Sequence, residues 1–154
     1  MTDMSDLHEL SVSRLIKASP ETVWKVYVER TRDWFCPLPW TTPVVDWDLR
    51  VGGRANATLQ SPEGERHPYQ GVFLEVEPGR KLVSTGAMTE GWVPQTGDLD
   101  FVRIDTFEPE AGGTRFTSRA RHWSEKEMEA HKAMGFEPGW GAVADQLADL
   151  AENA

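Results

Sequence analysis

The stretch Trp140-Gly141-Ala142-Val143-Ala144-Asp145-Gln146-Leu147-Ala148-Asp149-Leu150-Ala151 decides the fold. Trp140, Val143, Ala144, Leu147, Leu150 and Ala151 recur at i, i+3, i+4 and i+7 spacing, which draws one apolar stripe along a helix. Such a helix must bury its stripe against a second layer. The chain upstream supplies that layer. Leu10, Val12, Arg14 and Ile16 alternate with Ser11, Ser13 and Leu15, so residues 7–17 read as a first strand. Ser19-Pro20 gives an N-cap and a first helical position, opening a short helix that carries Val23, Trp24, Val26 and Tyr27. Residues 30–35 form a further turn of helix, and Pro37, Pro39 and Pro43 hold the next segment extended. Strands are expected at 44–49, 54–60, 66–76, 81–87, 99–107 and 114–122. Turn signals separate them at Gly52-Gly53, Ser61-Pro62-Glu63-Gly64, Glu77-Pro78-Gly79 and residues 110–113. Residues 89–98 read as a loop containing Trp92 and Pro94. Ser124 with Glu127 spells a capping box, and Gly135 and Pro138 interrupt that helix before the terminal one begins. The order predicts an α+β fold: a long carboxy-terminal helix across a curved antiparallel sheet, with two short helices after the first strand. One domain is expected over residues 7–152, with residues 1–6 a flexible amino terminus.

Composition narrows the function classes. Hydrophobic residues at 39% and charged residues at 27% are ordinary for a globular chain rather than a disordered one. A formal charge of −9 argues against nucleic acid and against an anionic membrane surface, both of which need clustered Lys and Arg. No apolar run approaches the ~20 residues of a membrane helix. Residues 1–6 are polar and acidic, unlike a signal peptide, so a cytoplasmic location is expected. The single cysteine, Cys36, lies in Trp34-Phe35-Cys36-Pro37, where nothing nearby would activate the thiol; it reads as buried and inert.

Seven tryptophans against two tyrosines form the most distinctive feature of the composition. Trp24, Trp34, Trp40, Trp47, Trp92, Trp123 and Trp140 fall mostly near element ends or in loops. Tryptophan joins a large apolar body to one N–H donor, so it suits a wall whose edge meets a polar group. A hollow between the terminal helix and the sheet is therefore expected, with these residues around it.

Several segments resemble a known family when taken in order: Ala18-Ser19-Pro20-Glu21-Thr22-Val23-Trp24, Asp48-Leu49-Arg50-Val51-Gly52-Gly53-Arg54, Gly71-Val72-Phe73-Leu74-Glu75-Val76-Glu77-Pro78 running into Lys81-Leu82-Val83-Ser84-Thr85, Gly112-Gly113-Thr114-Arg115, and Met134-Gly135-Phe136-Glu137-Pro138-Gly139-Trp140. Together they resemble the homologues of the activator of the heat-shock-protein-90 ATPase, within the START and SRPBCC superfamily of helix-grip proteins. The resemblance runs from about Leu7 to Leu150. It implies a seven-stranded antiparallel sheet wrapped around the carboxy-terminal helix, with an apolar cavity between. It also implies ligands that are lipids, polyketides or other apolar molecules, with a few members catalysing cyclisations or hydrolyses. The eukaryotic co-chaperone that names the family makes much of its chaperone contact through a separate amino-terminal domain. A chain of 154 residues has no room for it, so co-chaperone activity is not expected to carry over.

The expected ligand-binding set is Trp40, Trp92, Trp140, Leu147, Trp34, Phe73, Met88, Phe101, Phe116, Met134 and Arg14. Trp140 and Leu147 lie on the apolar stripe, and Trp92 sits on a loop that could serve as a lid. Phe35, Trp47 and Phe136 belong to the wider aromatic group from which walls and core are drawn. Arg14 shares the apolar side of the first strand, so its guanidinium must meet an acidic side chain or an anionic ligand head, unless it snorkels at the sheet edge. Arg14 or Ser84 would orient the ligand. Asp100, Val102, Ile104 and Thr106 share one face of the 99–107 strand, and Leu99, Phe101, Arg103, Asp105 and Phe107 the other. Asp98, Asp100, Arg103 and Asp105 could project into the hollow, where related cyclases and hydrolases hang an acid and a base, but neither face spells a clean catalytic pair, and they read first as solvated outer-face charges. His131 shares a helix face with Glu127 and is expected near solvent, bonded to Glu127 or to the Gly135 turn; with His122 it does not spell a metal site. No Gly-x-Ser-x-Gly elbow and no phosphate loop occur. No catalytic residue, metal or cofactor is assigned.

Three functions stay open. The first is a protein that holds an apolar or aromatic small molecule in an internal cavity. The second is a polyketide-cyclase- or hydrolase-like enzyme on the same fold, which would need titratable groups converging on the cavity. The third is a chaperone-related interaction module, or a homodimer, which would need a large exposed apolar patch.

Overall fold

The computed structural model describes residues 7–97 and 100–154. Residues 1–6, expected as a flexible amino terminus, lie outside the described residues, as do Asp98 and Leu99 of the expected 99–107 strand. The chain runs β1 (His8–Ile16), α1 (Pro20–Glu29), α2 (Thr31–Trp34), β2 (Thr41–Trp47), β3 (Ala55–Gln60), β4 (Arg66–Tyr69), β5 (Val72–Glu77) and β6 (Lys81–Thr85). It continues with β7 (Met88–Thr89), β8 (Val93–Pro94), β9 (Phe101–Glu110), β10 (Gly113–His122), α3 (Glu125–Ala133) and α4 (Phe136–Glu152).

Local chemistry accounts for the helix starts. The Ser19 hydroxyl accepts from the Thr22 amide at 3.2 Å, and Pro20, in the first turn, forfeits no hydrogen bond there. Ser124 likewise accepts from the Glu127 amide at 3.2 Å. The terminal helix begins earlier than its sequence suggests. Gly135 at φ 91 supplies the left-handed residue at the N-cap, and α4 starts at Phe136, so Pro138 falls inside its first turn instead of interrupting it. Amide groups of a first turn have no intrahelical acceptor, so proline costs nothing at that place.

The fold is α+β, with antiparallel sheets and a carboxy-terminal helix, consistent with the helix-grip architecture. The single seven-stranded sheet is a correction. The strands form a five-stranded sheet in the order β1-β10-β9-β6-β5, a three-stranded sheet β2-β3-β4, and a pair of two-residue strands, β7-β8, that begins one residue before the expected 89–98 loop. The split has a local cause at Gly71. The expected 66–76 strand pairs with β3 up to Tyr69 and with β6 from Val72 onward. Between them the Gly71 amide turns to the Asn56 side chain at 3.2 Å, while its carbonyl accepts from the Ala55 amide at 3.0 Å. A Cβ at Gly71 would stand 2.6 Å from the Thr85 carbonyl oxygen, so only glycine allows this approach. The bridge between Arg54 and Val72, with backbone hydrogen bonds linking residues 52–55 to residues 71–73, joins the small sheet to the large one.

α4 lies against β1, α1 and α2. Its buried face, Val143, Ala144, Leu147, Ala148 and Ala151, joins Ile16, Val23, Tyr27, Trp34, Phe107 and Phe116 in one core. That core fills the end of the helix–sheet space nearest α1. Toward the start of α4 the two layers stand apart.

Candidate functional site

Where they part, a cavity of ≈ 530 Å³ opens between α4 and the sheets. Helical period sets one wall: Phe136, Gly139, Trp140, Val143 and Ala144 face it from α4. Strand period sets the others. Leu82 and Ser84 come from β6, Phe101 and Arg103 from β9, Phe116 and Ser118 from β10, and Ala55, Ala57 and Leu59 from β3, each set two residues apart. The alanines leave the room that larger side chains would occupy. Phe35, Cys36, Pro37 and Trp40 close the side beyond α2. Gln146 of α4 ties that segment down, its amide donating to the carbonyls of Trp34 and Cys36 at 3.1 and 2.9 Å and its oxygen accepting from the Leu38 amide at 3.0 Å. Met134, 72% exposed, and Tyr69 are the lining residues most open to solvent.

The polar end of the cavity is built on β9. Asp105 is fully buried and accepts from the Tyr27 hydroxyl, the Ser118 hydroxyl and the Arg103 Nε, the last at 3.1 Å. Burial, then the adjacent Asp105 carboxylate, pushes the Tyr27 phenol well above its ordinary range, which keeps it a donor. Burial works against the Arg103 charge, but Asp105 outweighs it and the guanidinium ends above its ordinary value. The Arg103 head is clasped between aromatic faces, 5.1 Å from the Phe35 ring centre and 4.6 Å from that of Trp140. Its Nη1 and Nη2 have no hydrogen-bond partner among the described residues.

A second polar cluster sits where α3 meets α4. His122 Nδ1 lies 2.9 Å from the His8 carbonyl, which can only accept, so that nitrogen carries the proton. His122 Nε2 and His131 Nδ1 share a hydrogen bond of 2.8 Å. Burial, and then the neighbouring His122, lowers the His131 pKa to about 4, so this cavity-lining imidazole is neutral near pH 7. Burial also pushes the Cys36 thiol up, away from thiolate chemistry. No group of three or more His, Cys, Asp or Glu side chains with metal-ligand geometry occurs among the described residues.

The expected residues divide. Trp40, Trp140, Phe73, Phe101, Phe116 and Met134 stand at the cavity wall, as does Ser84. Trp34 and Leu147 are fully buried behind it, in the core beside Tyr27. Met88 belongs to the β7-β8 pair and does not line the cavity. Trp92 does not line the cavity: it is 51% exposed and lies over Gly52, where an added Cβ would stand 3.0 Å from its ring. Arg14 reaches along the edge strand to an ion pair with Asp145 of α4, outside the cavity. Two sequence readings are corrected. Arg103 and Asp105 are interior rather than solvated, and the missed signal was their place on one strand face between Phe101 and Phe107. His131 is buried, and its partner is His122 rather than Glu127 or the Gly135 turn.

Comparison with known proteins agrees with this fold. The chain is similar over 99% of its length to protein NE0264 from Nitrosomonas europaea, at 31% identity, 97% coverage of that chain and a TM-score of 0.90. Protein Ms6760 from Mycobacterium smegmatis follows at 25% identity, covering 97% of this chain and 93% of that one, with a TM-score of 0.77. An AHSA1 protein from Silicibacter pomeroyi, 20% identical, shares the fold with a TM-score of 0.71 over 95% of this chain and 99% of its own. No curated protein matches. The model of the family described as activator of Hsp90 ATPase homolog 1-like protein matches residues 17–152, and the chain belongs to that family.

Proposed function

We propose that this protein binds an apolar or aromatic small molecule in the cavity between α4 and the sheets. The observation that carries the reading is the cavity itself, ≈ 530 Å³ with walls of aromatic side chains and alanines, inside the ~300–1,000 Å³ range of small-molecule sites. Membership of a fold family that commonly holds hydrophobic ligands supports it. The polar groups at the wall suit recognition better than proton transfer. Tyr27, Ser118 and Arg103 already spend donors on Asp105, and His131 is a weak base. The enzyme reading therefore has titratable groups in place but, among the described lining residues, no proton acceptor poised near pH 7. Binding of this kind needs neither a membrane nor a second chain. Among the described residues no helix is long and apolar enough to cross a membrane, and a cytoplasmic location fits the acidic, single-cysteine composition.

Native mass spectrometry of protein purified gently from its host, with saturable quenching of tryptophan fluorescence by a neutral naphthalene probe, tests the reading. A retained small molecule or saturable quenching is expected in wild type and its loss in Ala57→Phe, which fills the cavity; circular dichroism checks that this variant folds. Absence of both signals from folded wild-type protein would refute the reading.

A further inference from the structure

We propose that the ligand is an aromatic or apolar carboxylic acid whose carboxylate docks on the Nη1 and Nη2 atoms of Arg103. This rests on the cavity-binding reading above and adds the chemistry of the ligand's head. A guanidinium has five N–H donors in a rigid fork. Here Nε is spent on Asp105 at 3.1 Å, while the four hydrogens on Nη1 and Nη2 have no acceptor among the described residues. Donors left unpaired at an apolar wall carry a desolvation cost until water or a ligand accepts them. The head is held between the Phe35 and Trp140 rings, 5.1 and 4.6 Å from their centres, which fixes its orientation. The side chain keeps 17% of its surface accessible, and Arg103 lines the cavity. It is therefore an oriented fork facing the cavity.

The rest of the wall selects the anion. Among the described residues no Asp or Glu lines the cavity, so none of them repels a negative charge from its wall. Asp105 sits behind Arg103, and its own charge is shared with the Tyr27 and Ser118 hydroxyls. Among the described residues Arg103 is the only Lys or Arg in the lining, which matches one carboxylate rather than a phosphate dianion, for which clustered cations are usual. The end-on Nη1/Nη2 edge fits the two oxygens of a carboxylate. The aromatic walls then take the ring or chain attached to it.

Isothermal titration calorimetry with 2-naphthylacetate and its neutral near-isostere 2-naphthylacetamide tests the proposal. Wild type is expected to bind the carboxylate about 10- to 100-fold tighter than the amide, the usual range for hydrogen bonds to a charged group. Arg103→Met should erase that preference while amide affinity stays within a few fold. Arg103→Lys, which keeps the charge without the fork, should retain only part of it. Equal affinities in wild type, or a preference that survives in folded Arg103→Met, overturn the carboxylate assignment and leave cavity binding standing. Binding of neither probe overturns the carboxylate assignment, and together with the absence of any retained molecule in native mass spectrometry it overturns cavity binding as well. If Arg103→Met fails to fold, the wild-type ratio and the reduced ratio in Arg103→Lys decide the matter.

Discussion

Replacing Asp105 with alanine is the sharpest test of the buried network. The substitution removes one carboxylate and strands the groups that donate to it: the Arg103 Nε, the Tyr27 hydroxyl and the Ser118 hydroxyl. Breaking a buried ion pair from one side typically costs about 3–5 kcal/mol, mostly as the penalty of the charge left behind. Arg103 can offset part of this because 17% of its side chain is accessible and water can reach the cavity. Tyr27 cannot, being 2% exposed and packed on Trp34 and Phe107. A loss of about 3 kcal/mol follows, against the 5–15 kcal/mol that stabilises a typical domain. For a chain of this size that lowers Tm by roughly 6–12 °C. Tyr27→Phe and Ser118→Ala each remove one hydrogen bond to the carboxylate and should cost about 1.5–3 kcal/mol. Their double variant should deviate from additivity, since both hydroxyls share one acceptor. Thermal unfolding followed by circular dichroism, with urea titration to obtain free energies, measures all four variants. An Asp105→Ala variant that melts within about 2 °C of wild type would show that the carboxylate is not holding Tyr27 and Arg103 in place.

Three further outcomes are expected. The His131 pKa, lowered from 6.5 to about 4, makes stability highest above pH 6.5 and drains it as the pH falls toward 4, because the unfolded chain takes up the proton first; the loss is at most about 3 kcal/mol, and urea midpoints at pH 7.5, 5.5 and 4.5 should show a shallower decline in His131→Asn. Gly71→Ala forces a Cβ to within 2.6 Å of the Thr85 carbonyl oxygen where the strand changes partner, so a loss of about 1–3 kcal/mol is expected by urea titration, and a neutral effect would mean the junction is not tight. Trp140→Ala removes a cavity wall and one clasp of Arg103, so affinity for 2-naphthylacetamide should fall roughly tenfold or more by calorimetry; Trp92→Ala, over Gly52 on the outside, should leave it unchanged, and the reverse order would restore Trp92 as a lid.

Much of the fold is legible because it rests on period and punctuation. The α4 stripe, the serine caps of α1 and α3, and the hairpin turns are local signals, and the elements stand where those signals put them within a few residues. The sheet count is not legible in the same way. Nothing in residues 66–76 says that the strand changes partner at Gly71, since the cause is the Thr85 carbonyl facing it and the Asn56 side chain that takes its amide. Pro138 misleads for a related reason: whether proline ends a helix or opens one depends on Gly135, three residues earlier, adopting φ 91.

The polar end of the cavity was half legible, and the half that was missed follows from how strands in a curved sheet are buried. Phe101, Arg103, Asp105 and Phe107 share one face of β9, and two phenylalanines bracketing two charges on a central strand mark that face as interior. Alternation alone then demands that the charges neutralise each other, which Arg103 and Asp105 do at 3.1 Å. What alternation cannot supply is the third dimension. Tyr27 comes from α1, Phe35 from the segment after α2, and Trp140 from α4, and only the packing of these elements across β9 turns an ion pair into an oriented fork. Arg14 shows the converse. Its neighbours on β1 also looked inward, yet β1 is an edge strand, and a long side chain there reaches Asp145 without entering the cavity. For a charged residue on an apolar strand face, then, the strand's place in the sheet decides its role: an edge lets the charge escape, and a centre forces it to be satisfied inside, where a ligand can use what remains.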